Sequence, residues 1–306
     1  FLTKGLMVTG IIILLSSICT YFISRQALLP LRRLSQEVNQ IEVQNLSEAL
    51  EVPATNDEIS RLTISFNKML ARLDEAFTAQ KQFSANAAHE LRTPLAVIQT
   101  NLEVFARRET PALKDYQEIF SMLQEQTGRL SHLAEILLDM TGVQTVERSE
   151  RISLAALTDE VFCDLASVAE QKDIELIQQE GDCIITGSYL LLYRAVYNLV
   201  ENAIKYNHSG GKVTVNIHLS EEITDTSTSV NYVILEVSDT GIGIPPEYQE
   251  KIFTPFFRVD KSRSRAMGGA GLGLALVSEI VRQHNGQVNV LESSKKGSVI
   301  AIMLPV

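Results

Sequence analysis

Apolar and polar positions change period along this chain. From Gly5 to Ile23 no charged residue interrupts the sequence, about the ~20 residues a helix needs to cross a hydrocarbon layer. The uniform apolarity leaves no wet face, so the pattern predicts a membrane span and not a core helix. Arg25, Arg32 and Arg33 follow the span and only Lys4 precedes it, a basic bias that places the downstream chain in the cytoplasm. The chain opens on Phe1, and a further N-terminal part is expected before it. Past the span, Leu31, Leu34, Val38 and Ile41 recur at helical spacing, the seam of a helix that packs against partners. A non-helical stretch from about Val43 to Asn56 contains Pro53, and Asn56-Asp57 can cap a second helix. That helix carries Ile59, Leu62, Phe66, Leu70, Leu73 and Phe77. Two successive gaps of four near Phe66 to Leu70 make a stutter, where two packing registers compete.

The seam runs on through Phe77, Gln80, Ser84, Ala87 and Leu91. After the break at Thr110-Pro111, a further helix shows Leu123, Gln126, Leu130, Leu133, Leu137 and Met140. Two amphipathic helices joined by a turn cannot bury their stripes alone, and pairing two copies into a four-helix bundle is the simplest remedy. After about Arg148 the period changes to short strands, beginning near 152, 174, 183, 212, 230, 287 and 298, alternating with helices at about 155–171, 187–206 and 271–284. Adjacent hairpin-like strand pairs predict a mixed sheet with helices on one face, an α+β sandwich. The polar run EEITDTSTS reads as a surface loop.

With 306 residues the chain holds about two or three domains. Its net charge of -10, without a basic run, argues against a nucleic-acid partner. Cys19, Cys163 and Cys183 show no paired spacing, which suggests neither a disulfide framework nor a metal knuckle and fits a reducing cytoplasm.

The chemistry is concentrated in short blocks. NAAHELRTPL places His89 beside Glu90, with Thr93 four positions on and Pro94 after it. An imidazole attacks phosphorus only while one ring nitrogen is free, and a neighbouring carboxylate can accept the proton on the other. A zinc-protease helix needs a second histidine where Thr93 stands, so that reading fails; a plain surface histidine remains the alternative. His89 lies two positions past the seam at Ala87 and is expected to point outward, and Pro94 is expected to bend the helix and loosen it. Neither a G-x-x-x-x-G-K-[ST] loop nor G-x-G-x-x-G occurs. Instead NLVENAIKYN, DTGIGI, FTPFFR and GGAGLGLALV follow in order. Asn198, Asn202 and Lys205 share one helix face, offering two amides and an ammonium. An amide oxygen suits Mg2+, a hard cation that keeps most of its waters. The glycines after Asp239 allow close backbone approach to a flat base.

These four blocks resemble the N, G1, F and G2 boxes of the GHKL ATP-binding fold, and with HELRTPL they resemble a sensor histidine kinase of a two-component system. The helix-connector-helix unit after the span resembles a HAMP signal-relay domain, matching at Pro30, Leu31, Asp57, Glu58, Ile59, Leu62, Phe66, Asn67 and Met69; an ordinary coiled-coil linker is the alternative. The resemblance implies a multidomain protein of a bacterial cell membrane, with its catalytic part cytoplasmic. Residues 1–24 would be the transmembrane helix and 25–77 the HAMP coiled coil. Residues 78–147 would form the all-α dimeric hairpin for phosphotransfer and 148–306 the α+β sandwich ATP-binding domain.

It further implies ATP and Mg2+ as cofactors, a homodimer, and a cytoplasmic response regulator as partner. His89 would accept the phosphoryl group, Glu90 act as base or orienting group, and Thr93 position a water for dephosphorylating the regulator. ATP would be held by Asn198, Asn202 (also the metal ligand), Lys205, Tyr206, Asp239, Gly241, Gly243, Phe256, Arg258, Gly269, Gly271, Leu272 and Gly273. Asp239 would accept the adenine amine and Arg258 reach the γ-phosphate. A lid from Val259 to Gly271 would carry Lys261, Arg263 and Arg265, hinged on Phe253, Phe256 and Phe257. GHKL proteins that hydrolyse ATP with water place a glutamate base where Asn198 stands here, and an amide cannot take that proton. A non-catalytic nucleotide switch and a GHKL ATPase are the rival readings.

Overall fold

In the computed structural model of the chain, the described residues are 10–22, 34–36, 38–39, 48–53, 58–143, 146–179, 181–223, 229–259 and 270–306. The chain falls into two compact units, Phe1–Ser84 and Ala85–Val306.

In the first unit, residues 10–22 form a helix whose large apolar side chains, Ile11 to Leu15 among them, are exposed. Among the described residues no helix is long and apolar enough to cross a membrane. Both ends of the expected span, residues 5–9 and 23, lie outside them, as do Leu31, Ile41 and the Asn56-Asp57 cap. Helix α1, Glu58–Ala106, begins in this unit with an acidic first turn. Leu50 and Leu70 are buried together, with Leu34, Val38 and Phe66 packed against them. Asn67 fixes the connector: its Oδ1 accepts the Leu50 N–H at 2.9 Å and its Nδ2 donates to the Leu50 carbonyl at 2.9 Å. One amide side chain thus satisfies both backbone groups of Leu50.

In the second unit α1 continues through Pro94 to Ala106 without interruption. Proline lacks an N–H, so the Glu90 carbonyl loses its usual helical donor at this point. Helix α2, Leu113–Gly142, follows a short turn. Asp115 accepts the Ala112 N–H at 2.8 Å and pairs with Arg108, and Phe105 meets Tyr116 edge to face, closing the turn.

The remainder alternates as the apolar pattern predicts: β1 Glu150–Ser153, α3 Leu154–Gln171, β2 Glu175–Gln178, β3 Ile184–Gly187, α4 Tyr189–Lys205, β4 Lys212–Ile223, β5 Ser229–Asp239, α5 Gly273–Gln283, β6 Gln287–Ser294 and β7 Gly297–Pro305. Five strands form a mixed sheet in the order β2-β4-β5-β7-β6, with β2 parallel to β4 and the other pairs antiparallel. Val213, Val215, Ile217, Val233, Leu235 and Val237 alternate on the buried face, the period of a sheet covered on one side. Leu157, Val161 and Leu165 of α3, Leu192, Val196 and Val200 of α4, and Leu276, Val277 and Ile280 of α5 complete this core. β1 and β3 form a separate two-stranded sheet. The stretch read as the loop EEITDTSTS is shorter than that: β4 runs to Ile223 and β5 starts at Ser229, paired with each other in register, because the strand pairing extends past the point where side chains turn polar.

Candidate functional site

The C-terminal end of α4, the end of β5 and the start of α5 converge on a cavity of about 570 Å³. Ser188 caps α4 with its side chain, and Lys172 closes the other end, its Nζ donating to the Lys205 carbonyl at 2.8 Å, a cation placed at a helix C-terminus. That anchors the turn carrying Asn198, Asn202, Lys205 and Tyr206, which all line the cavity. Asn198 donates from Nδ2 to the Arg194 carbonyl at 2.8 Å.

Asp239 ends the central strand β5, facing Val213 on one side and Ser298 on the other. Its Oδ1 accepts the Gly241 N–H at 2.7 Å. Burial pushes its carboxyl above the usual range, opposed by the N–H groups of Gly241 and Ser298 and by His208. A half-buried acceptor lining the cavity suits an exocyclic amine. Lys205 is pushed below the ordinary lysine value, by burial first; Glu201 opposes this, and Lys172, Arg258 and Arg129 add like-charge repulsion. An anion brought to this end would relieve that repulsion.

Backbone geometry explains two glycines. Gly243 has φ +73°, and a Cβ there would lie 1.8 Å from the Ser294 carbonyl oxygen. Gly273 opens α5 against α4: a Cβ would come within 2.6 Å of Asn198 Oδ1. Among the described residues no side chain caps α5, so the start of this helix presents N–H groups of the kind that meet an anion.

Of the residues expected to hold ATP, Asn198, Asn202, Lys205, Tyr206, Asp239, Gly243, Arg258, Gly271, Leu272 and Gly273 line this one cavity. Gly241 acts behind it through Asp239. Phe256 does not line it; Phe257 does. Phe256 has φ +64° and donates its N–H to the Gly271 carbonyl at 2.7 Å, a backbone tie between the F block and the last glycine block. Gly269, Lys261, Arg263 and Arg265 lie outside the described residues. The sequence reading missed the apolar walls Ile252 and Ile300, and missed His132 and Ile136 of α2. The walls were legible only as ordinary core positions, and nothing in the spacing ties α2 to the nucleotide blocks.

Among the described residues no group of three or more His, Cys, Asp or Glu side chains is placed to hold a metal. A hard cation such as Mg2+ needs few protein ligands when it is bound together with phosphates, and the amide oxygen of Asn202 is a donor of the kind that would suit it. The cavity, its half-buried acceptor Asp239, the start of α5 and Lys205 fit a nucleoside triphosphate.

His89 is exposed on α1. Thr93 donates its hydroxyl to the His89 carbonyl at 3.1 Å. Glu90 is the link to the cavity: its Oε2 lies 2.7 Å from Nη2 of Arg258, whose side chain is 6% exposed. The Nε of Arg258 is buried and has no hydrogen-bond partner among the described residues.

Family models match three stretches: "HAMP domain" over residues 22–75, "His Kinase A (phospho-acceptor) domain" over 79–145, and "Histidine kinase-, DNA gyrase B-, and HSP90-like ATPase" over 187–306. The sensor histidine kinase CusS of Escherichia coli O6:H1 is 31% identical over 279 residues, 90% of this chain and 56% of CusS. The signal transduction histidine-protein kinase ArlS of Staphylococcus aureus is 30% identical over 297 residues, 95% of this chain and 63% of ArlS. The chain therefore spans somewhat more than half the length of these relatives. The crystal structure of histidine kinase ThkA in complex with the response regulator protein TrrA superposes with a TM-score of 0.57 at 22% identity, covering 81% of this chain and 68% of that one, a likeness of fold. With these three domains in this order and these relatives, the chain belongs to the sensor histidine kinases.

Proposed function

We propose that this chain is the catalytic and relay part of a membrane-bound sensor kinase that uses ATP to phosphorylate its own His89 and passes the phosphoryl group to an aspartate of a response regulator. The observation that carries this is the Glu90–Arg258 pair, which ties the residue after His89 to a side chain of the nucleotide cavity. ATP supplies the phosphoryl group when bound. Asp239 accepts from the base, Lys205 and the start of α5 face the phosphates, Asn202 holds Mg2+, and Arg258 neutralises the terminal phosphate. His89 attacks the terminal phosphorus through one ring nitrogen while Glu90 takes or holds the proton on the other, and the bond from that phosphorus to the β–γ bridging oxygen breaks as ADP leaves. Glu90 serves that role only after its pair with Arg258 opens. Asn198, bound to the Arg194 carbonyl, offers no base for water, which disfavours the ATPase reading.

Residues 25–77 would relay the stimulus as a HAMP domain, 78–147 form a dimeric hairpin, and 148–306 bind ATP. Residues 1–24 would span the membrane, with the catalytic part on the cytoplasmic side, as suits a chain that matches a HAMP model and two sensor kinases. The complex of ThkA with its regulator supports a response regulator as the partner here. A second output, dephosphorylation of that regulator, is favoured by Thr93, exposed one turn from His89 with its hydroxyl tied to that residue's carbonyl.

The test is incubation of the whole chain in detergent with γ-labelled ATP and Mg2+. Label on the protein that is acid-labile, base-stable and lost in His89→Ala is expected. Rapid phosphate release with no labelled protein would overturn the reading in favour of an ATPase, and nucleotide binding with neither would favour a non-catalytic switch.

A further inference from the structure

Helix α2 belongs to the phosphotransfer hairpin by sequence, yet His132 and Ile136 line the cavity that holds Asn202 and Lys205. The placement is not a grazing one. Ile136 is 6% exposed and Leu133 is 5% exposed, so this face of α2 is embedded while His132 keeps an exposed side chain at the cavity. Asp139, one turn past Ile136, pairs with Arg194 of α4, the helix that carries the two asparagines and the lysine. Past the end of α2, Arg148 donates to the Val143 carbonyl at 3.0 Å and to Gln283 of α5 at 3.1 Å. On the other side of His132, Arg129 lies three residues back on the same face, and its charge is felt at Lys205. The Arg129 to His132 turn therefore sits at the lysine end of the cavity, the end assigned to phosphates, and not at the Asp239 end assigned to the base.

We propose that His132 is a nucleotide-binding residue supplied by the hairpin of the same chain, donating an imidazole N–H to the phosphates of bound ATP. The proposal rests on the ATP reading of the cavity. It makes nucleotide affinity depend on how α2 is seated against α4, and linkage requires the reverse as well: bound nucleotide holds α2 in its seat. A signal that rotates or slides the hairpin would then change ATP affinity before any chemistry occurs.

The test is calorimetric titration of the whole chain in detergent with a non-hydrolysable ATP analogue and Mg2+. His132→Ala is expected to weaken binding threefold to tenfold with an unchanged melting temperature of the free protein, and His132→Gln, which keeps a donor, to recover part of the loss. Asp139→Ala, or Arg194→Ala should the first fold poorly, is expected to weaken binding by a similar factor. The double variant His132→Ala with Asp139→Ala should bind no worse than the weaker single one, because both act through one seating. Unchanged affinity in His132→Ala, with binding lost in Asn202→Ala, overturns this proposal and leaves the cavity reading intact. Failure of the unaltered chain to bind the analogue overturns both.

Discussion

The ATP-binding region and the phosphotransfer hairpin bury their apolar residues to opposite extents. In the former, Leu157, Val161, Leu165, Val200, Val277, Ile280 and Val281 are fully enclosed. On the hairpin, Val104, Leu113, Phe120 and Leu138 are 54%, 76%, 64% and 70% exposed. A sheet covered by three helices closes its own core, whereas a two-helix hairpin leaves apolar stripes open, which in the proposed dimer a second copy covers. The difference assigns stability to one region and association to the other, and each can be perturbed separately.

The sharpest way to break that assignment is a pair of truncations. Leu276, on α5, is 1% exposed; Leu276→Ala is expected to destabilise the folded chain by about 2–5 kcal/mol, the range for a buried leucine leaving a cavity. A lowered urea midpoint with unchanged slope measures it. Phe120→Ala should leave that midpoint within about 0.5 kcal/mol, as exposed sites do, while lowering the dimer fraction in analytical ultracentrifugation. If Phe120→Ala cost as much as Leu276→Ala at concentrations where the chain is monomeric, the hairpin would have a closed core of its own, and the contrast would fail.

A smaller effect is expected where α4 meets α5. Gly273→Ala puts a methyl carbon 2.6 Å from Asn198 Oδ1, so either the asparagine moves or α5 does. Affinity for the non-hydrolysable analogue should fall at least tenfold, about 1.4 kcal/mol, with a much smaller change in the urea midpoint. Unchanged affinity would mean that the close approach of these helices is packing alone and not part of the nucleotide cradle.

How far each region was legible in the sequence follows from the same contrast. Strand alternation at Val213, Val215 and Ile217 and the helical spacing of Asn198, Asn202 and Lys205 are local, so their faces were readable before any contact was known. The nucleotide blocks were readable for the same reason: each is short and carries its own glycines. Three things were not. Phe257 and not Phe256 lines the cavity, because Phe256 takes a positive φ that turns the chain by one position. β1 pairs with β3 outside the main sheet, a choice that four-residue strands do not announce. His132 reaches the cavity from a different helix by tertiary seating, which no spacing within α2 records. The polar pairs that join the regions, Glu90 with Arg258 and Asp139 with Arg194, are likewise tertiary contacts that no local spacing records.

The smallest effect concerns the seam between α5 and the sheet β1–β3. His284, just past α5, is buried; its Nε2 accepts the Ser188 N–H at 3.1 Å, and its Nδ1 lies 2.8 Å from the Ile280 carbonyl. An N–H donor on Nε2 requires the neutral tautomer with its proton on Nδ1. Burial pushes the group below its ordinary value of 6.5, with Arg148 adding repulsion and the Ile280 carbonyl opposing. The unfolded chain thus binds the proton more readily than the folded one, and stability rises with pH. This contribution is fully present above about 6.5, begins to fade as pH falls through that value, and is lost once the pH passes the depressed value of the folded state. Unfolding midpoints of the unaltered chain at pH 8 and pH 5.5 should differ by more than those of His284→Gln, which has no proton to gain. Equal differences in the two proteins would show that the imidazole is protonated in the fold and that the Ser188 contact has been assigned the wrong donor.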